Sequence, residues 1–188
     1  MRSQRQKWAE FIAGKNISKQ TNCTYQVRQN FTGTVLGIDP SLRGTGLAVV
    51  KSISTTECRL LHSTTIKCAA SLSRIECIRK IFEETSAIIR KYRPDVCAAE
   101  ETIYVQNFQT AQVMGMARGA IFAAISQFDL QIHEFAPLRI KQAITGFGRA
   151  SKEQVSKMIQ AILSTSTANV GFDETDAAAA ALCYIFTS

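Results

Sequence analysis

At 188 residues, with 46% hydrophobic and 20% charged side chains, the chain holds enough material for one well-filled core and too little for two ordinary domains. No stretch approaches the roughly 20 uninterrupted apolar residues of a membrane-spanning helix, so a transmembrane protein is excluded. The formal net charge of +7 points to an anionic partner, but most of the excess lies in the first 33 residues, so any case for nucleic acid must rest on local clusters.

Residues 1–33 are basic and polar, with one amphipathic turn through Trp8, Phe11 and Ile12. They are expected to be a flexible N-terminal extension ahead of a domain spanning 34–188. An organelle transit peptide is the alternative, although the extended Arg/Ser helix of a strong one is missing. The six cysteines (Cys23, Cys58, Cys68, Cys77, Cys97, Cys183) form no CxxC pair and have no tight spacing with His62 or His133. A structural zinc site therefore has little support, and reduced core thiols in a cytoplasmic protein are expected.

From Thr34 the run TVLGIDP ends in an acid and a proline, and SLRGTG and LAVVKSI follow. This predicts an antiparallel hairpin with Asp39 at the rim of a sheet. A third strand is expected over Cys58 to Lys67. Residues 71–92 carry Leu72, Ile75, Ile78, Ile81, Phe82, Ile88 and Ile89 at helical spacing. Arg93-Pro94-Asp95 stops that helix, and Val96 to Ala99 forms a short strand running into Glu100 and Glu101. A long helix rich in small residues is expected over 108–128, then a strand over 131–135 and a helix opened by Pro137. Ser151 and Gln154 make a capping box for a helix reaching about Leu163, and a last helix starts near Phe172. A strand hairpin followed by alternating helices and strands implies an α/β fold, a mixed central sheet with helices on its faces.

Four acids stand at the ends of apolar elements: Asp39, Glu100, Asp173 and Asp176. The last two, three apart in a helix, share a face. Clustered carboxylates repel one another unless a cation sits between them, and oxygen-only ligands suit Mg²⁺ or Mn²⁺ over zinc. One or two such ions would support phosphodiester hydrolysis. Asp173 alone would be explained by helix-start electrostatics and Asp39 alone by turn chemistry, and only the combination points to a cation site. Glu101, alternating to the other side of its strand, and Glu174, off the shared helix face, are weaker candidates.

LGIDPSLRGTG (36–46), AAEETIYVQN (98–107), MGMARGA (114–120), RIKQAITGFGRASKEQVSKM (139–158) and DETDAAAAAL (173–182) occur in one continuous register. With these five stretches the chain resembles the RuvC family of Holliday junction resolvases. The resemblance implies a ribonuclease H-like fold and a homodimer that nicks four-way DNA junctions symmetrically in recombination and repair. It leaves room for a branch-migration motor as a further partner. It places Asp39, Glu100, Asp173 and Asp176 on the family's metal-binding carboxylates, and Lys141 and Lys152 on lysines near the scissile phosphate. Lys152, close to a helix start, is also well placed on physical grounds to meet a phosphate and offset developing charge. Arg43, Asn107 and Arg149 in the same stretches are further DNA-contact candidates. Where the family commonly has an aromatic wedge, this chain has Ile103, with Tyr104 beside it. The small residues of the 108–128 helix suit a dimer contact and core packing equally.

Two other readings remain open from the sequence. One is a related ribonuclease H-like nuclease acting on other branched or RNA-containing substrates. The other is a non-catalytic junction-binding protein, which would gain nothing from four acids facing phosphate. A two-lobed actin-like ATPase is set aside on length.

Overall fold

The computed structural model describes residues 31–54, 57–101, 107–163 and 171–188. Among them five strands form one sheet in the order β3-β2-β1-β4-β5. These are β1 (Gly33–Asp39), β2 (Gly44–Ser52), β3 (Cys58–Lys67), β4 (Val96–Glu100) and β5 (Ile132–Phe135). The first three pair antiparallel, while β4 and β5 join parallel to β1. The helices are α1 (Arg74–Tyr92), α2 (Phe108–Ser126), α3 (Pro137–Thr145), α4 (Lys152–Leu163) and α5 (Phe172–Thr187). Among the described residues no helix is long and apolar enough to cross a membrane.

Strand alternation divides the core in two. Val35, Val96 and Ala98 face α3, α4 and α5, whereas Leu36, Ile38, Cys97 and Ala99 face α1 and α2. Because the period is two, Asp39 and Glu100 must follow Val35 and Val96 onto the α5 face, and Glu101 falls on the other. The expected alternation of Glu100 and Glu101 is thus built into the sheet.

Helix α5 lies across β1 and β2. Its run Ala177–Ala181 is wholly buried, and a helix this slim can sit close to the sheet. Two strand glycines complete the fit: a Cβ on Gly37 would collide with the Ala177 carbonyl, and one on Gly46 with the main chain of Asp173. One helical turn separates those contacts, so together they fix the height and register of α5.

The helix boundaries follow from local chemistry. Ser73 and Glu76 form a reciprocal capping box for α1, and Arg93, in the left-handed region at φ 46, ends it before Pro94. The expected box at α4 is present too, with Ser151 N–H donating to Gln154 Oε1 at 2.8 Å and Gln154 N–H to Ser151 Oγ at 3.3 Å. Helix α1 buries largely the expected face: Ile81, Ile88 and Ile89 lie in the core, with Leu72, Ile78 and Phe82 packed against it. Cys77, Ile81, Thr85, Ser86, Ile88 and Ile89 point inward, Leu72 precedes the helix, and Ile75 is 66% exposed. Of the expected stripe only Ile75 faces solvent, and the small side chains of Cys77, Thr85 and Ser86 complete the buried face.

Phe31 packs edge-on against Tyr184, and its carbonyl accepts a hydrogen bond from the Ser52 hydroxyl at 2.8 Å. These contacts tie the end of the basic segment to the domain.

Candidate active site

Asp39 ends β1 opposite Gly46 of β2, one rung beyond the Ile38–Ala99 pairing that leads to Glu100 on β4. Gly46 carries the main chain of Asp173 above it, and the Asp173 carboxylate leans toward Gly44. Asp176 follows one turn along α5 and receives the Lys152 ammonium, whose Nζ lies 3.4 Å from Asp176 Oδ2. Two adjacent strand ends and one helix start therefore bring all four predicted acids together.

The electrostatics show how crowded this group is. Burial, then the charges of Asp176, Glu100 and Asp173, push the Asp39 carboxyl up to about 7, and Lys152 only partly opposes them. Glu100 is raised by burial and by Asp176, against the pull of Lys152 and Lys141. Lys152 itself is held above the usual lysine range, chiefly by Asp176. A depression of about 160 Å³ opens here, lined by Glu100, Lys141, Lys152, Val155, Asp176 and Ala179 among others. A larger cavity of about 410 Å³ lies among Ile89, Arg93, Pro94 and Phe128, by the entry to β4. Among the described residues its lining contains no carboxylate.

An all-oxygen donor set in which burial and neighbouring acids push one carboxyl up to about 7 fits a hard divalent cation. Among the described residues no three His, Cys, Asp or Glu side chains form a ready-made ion cage. The acids are neighbours in charge and not a closed shell.

The remaining candidates are placed differently. Glu174 accepts hydrogen bonds from Ser63 Oγ (2.6 Å) and Thr65 Oγ1 (3.2 Å), anchoring α5 to β3. Arg43 is engaged on the α1 side, where Nη1 donates to the carbonyls of Ala69 (2.6 Å) and Leu72 (3.0 Å). Asn107 caps α2, its Oδ1 accepting from the N–H groups of Gln109 and Thr110, which leaves its NH₂ outside the cap. Arg149 is exposed just ahead of α4. Ile103 and Tyr104 lie outside the described residues. The sequence reading missed Arg118, which reaches from α2 to the Glu100 carbonyl. Its signal was the one charged residue in a helix otherwise free of charge.

A sequence profile described as crossover junction endodeoxyribonuclease RuvC matches residues 35–184, which span every one of these acids. The chain belongs to the RuvC family. A RuvC of Caldicellulosiruptor saccharolyticus is 38% identical over 154 residues, covering 82% of this chain and 93% of that protein. One from Halothermothrix orenii is 35% identical, covering 80% and 90% respectively. Among solved structures, Thermus thermophilus RuvC in complex with a Holliday junction substrate superposes with a TM-score of 0.78 at 30% identity. That match covers 82% of this chain and 93% of the other. The yeast mitochondrial Holliday junction resolvase Ydc2 shares the fold, with a TM-score of 0.60 at 12% identity, covering 85% and 83% of the two chains. The ribonuclease H-like fold expected from the sequence is the fold of this RuvC-family chain.

Proposed function

We propose that this RuvC-family endodeoxyribonuclease resolves four-way DNA junctions by metal-assisted phosphodiester hydrolysis, cutting two strands symmetrically as a homodimer. The observation that carries the reading is the Asp39 carboxyl, pushed up to about 7 by burial and three neighbouring acids. A fold has no stabilising use for such a group, whereas a cation site does.

Asp39, Glu100, Asp173 and Asp176 are the residues that would hold Mg²⁺, with Mn²⁺ able to substitute, as one or two ions per subunit. When bound, the ion supplies Lewis-acid polarisation of the phosphodiester and a more acidic attacking water. The chain's own groups do the rest. Lys152, at the start of α4 with its side chain 72% exposed, is free to swing from Asp176 to a non-bridging phosphate oxygen and offset the charge that builds there. Lys141 stands on the same depression and adds a second positive contact. The buried alanines of α5 and the sheet beneath close the inner side of the acids to solvent.

Two equivalent cuts around a pseudo-symmetric junction call for two equivalent sites. The outer side of α2 suits the pairing, because among the described residues Gly115 and Gly119 have nothing within 4 Å of where a Cβ would be. The inner side, with Ala117, Ala120, Ile121, Ala124 and Ile125, is buried in the core, so the two uses of small residues divide between the faces of one helix. We assign residues 34–188 to the nuclease domain and the protein to the cytoplasm, where the free thiols of Cys58, Cys68, Cys77, Cys97 and Cys183 stay reduced.

The test is a substrate panel with Mg²⁺: a labelled mobile four-way junction, a flap, linear duplex and an RNA–DNA hybrid. Paired nicks of like polarity in the junction are expected, with the other substrates left largely intact. Equal cutting of linear duplex, or preference for the hybrid, would overturn the reading.

A further inference from the structure

Arg118 projects from the middle of α2 with its side chain only 15% exposed. Its guanidinium lies over the Phe122 ring, Cζ 5.2 Å from the centroid. Nη1 donates to the main-chain oxygen of Glu100 at 3.0 Å, and Nη2 is paired with the Glu134 carboxylate of β5. On the other flank of the same peptide, Glu101 N–H donates to the Phe135 carbonyl at 2.8 Å. The last rung of β4 is thus gripped by β5 and by an arginine from α2.

This grip acts on the main chain. The cations that influence the Glu100 carboxyl are Lys152 and Lys141; Arg118 is not among them. It therefore does little to the charge of Glu100 and much to where Glu100 stands.

We infer that Arg118 is a positioning residue for the reaction: it locks the end of β4 so that Glu100 faces Asp39 and Asp176, with Glu134 holding the guanidinium in place. The inference rests on the metal-dependent reading of the site. Groups that orient ligands from behind change metal affinity or activity by roughly 10- to 100-fold when removed. Displacing a catalytic group by about an ångström has an effect of similar size.

The experiment compares the full-length wild type with Arg118→Gln, Arg118→Lys and Glu134→Gln. Four quantities are read: Mn²⁺ affinity of the DNA-free protein by calorimetry, turnover on a four-way junction, junction affinity in EDTA, and thermal midpoint. Arg118→Gln is expected to weaken Mn²⁺ binding and turnover by at least about 10-fold, with junction affinity in EDTA within about 2-fold of wild type. Arg118→Lys keeps a donor without the fork and should fall between. Glu134→Gln removes the ion pair but keeps the Nη1 donor, so it should lose less than Arg118→Gln. Wild-type Mn²⁺ affinity in folded Arg118→Gln would overturn the inference. So would losses in all three variants that merely track the unfolded fraction. If the wild type cuts no junction, the proposed function fails on its own, while the Mn²⁺ comparison still decides the role of Arg118.

Discussion

Gly46 lies directly beneath Asp173, so close that a Cβ added to the glycine would penetrate the aspartate's main chain. The strand partner of Gly46 is Asp39, and the contact therefore sets the height at which one acid stands beside another. Gly46→Ala should lift the first turn of α5 off the sheet. Because backbone has to give way, a destabilisation of at least about 2 kcal/mol is expected, with cleavage falling further than stability alone explains. Denaturant titration and junction cleavage well below the melting midpoint check this. Gly46→Ala at wild-type stability would contradict the packing account.

Asp39 makes the stability of the metal-free protein depend on pH in an unusual direction. Its folded value of about 7 lies above the ordinary 3.8, so its contribution is fully present below 3.8 and is lost as pH rises through 7. Metal-free protein should be less stable at pH 8 than at pH 5.5, by about 1–2 kcal/mol from this group. Asp39→Asn removes the titration and should flatten the profile. A wild-type profile that rises across this range, with Asn making no difference, would show that the crowding of acids is not felt.

Lys152 contacts Asp176 through a largely exposed side chain, so the pair itself adds little to stability. Lys152→Gln should leave the melting midpoint within a few degrees of wild type. Turnover on the junction should drop about 100-fold or more, the usual size for removing a preorganised donor from a developing charge. Unchanged turnover would move Lys152 out of the reaction.

Thr85 is fully buried in α1, and its hydroxyl has no hydrogen-bond partner among the described residues. The near-isosteric Thr85→Val keeps the branched shape and removes the desolvated group, so a gain of about 1 kcal/mol is expected. Chemical denaturation decides it; a loss of similar size would mean the hydroxyl is satisfied.

The strand-end acids and the capping box of α4 were legible in the sequence because each is a local signal. A period of two puts Asp39 with Val35 and Glu100 with Val96, and Ser151-x-x-Gln154 announces a helix before any packing is known. Arg118 was not legible, since its meaning depends on the Glu100 carbonyl 18 residues away and on Glu134 of another strand. Gly37 and Gly46 read as ordinary strand and turn glycines until α5 is laid across them. The buried face of α1 was legible in its aliphatic spacing except at Thr85 and Ser86, which are inside because of what they pack against, and no propensity says so. The acid cluster could be read from spacing, while the devices that hold it in place are tertiary.

The most direct test of the central claim is cleavage of a labelled mobile four-way junction by wild type and by Asp39→Asn, each with Mg²⁺ and with EDTA. The account predicts paired symmetric nicks for the wild type with Mg²⁺ only, and none for Asp39→Asn, which should still bind the junction. Nicks that persist in Asp39→Asn or in EDTA would contradict it.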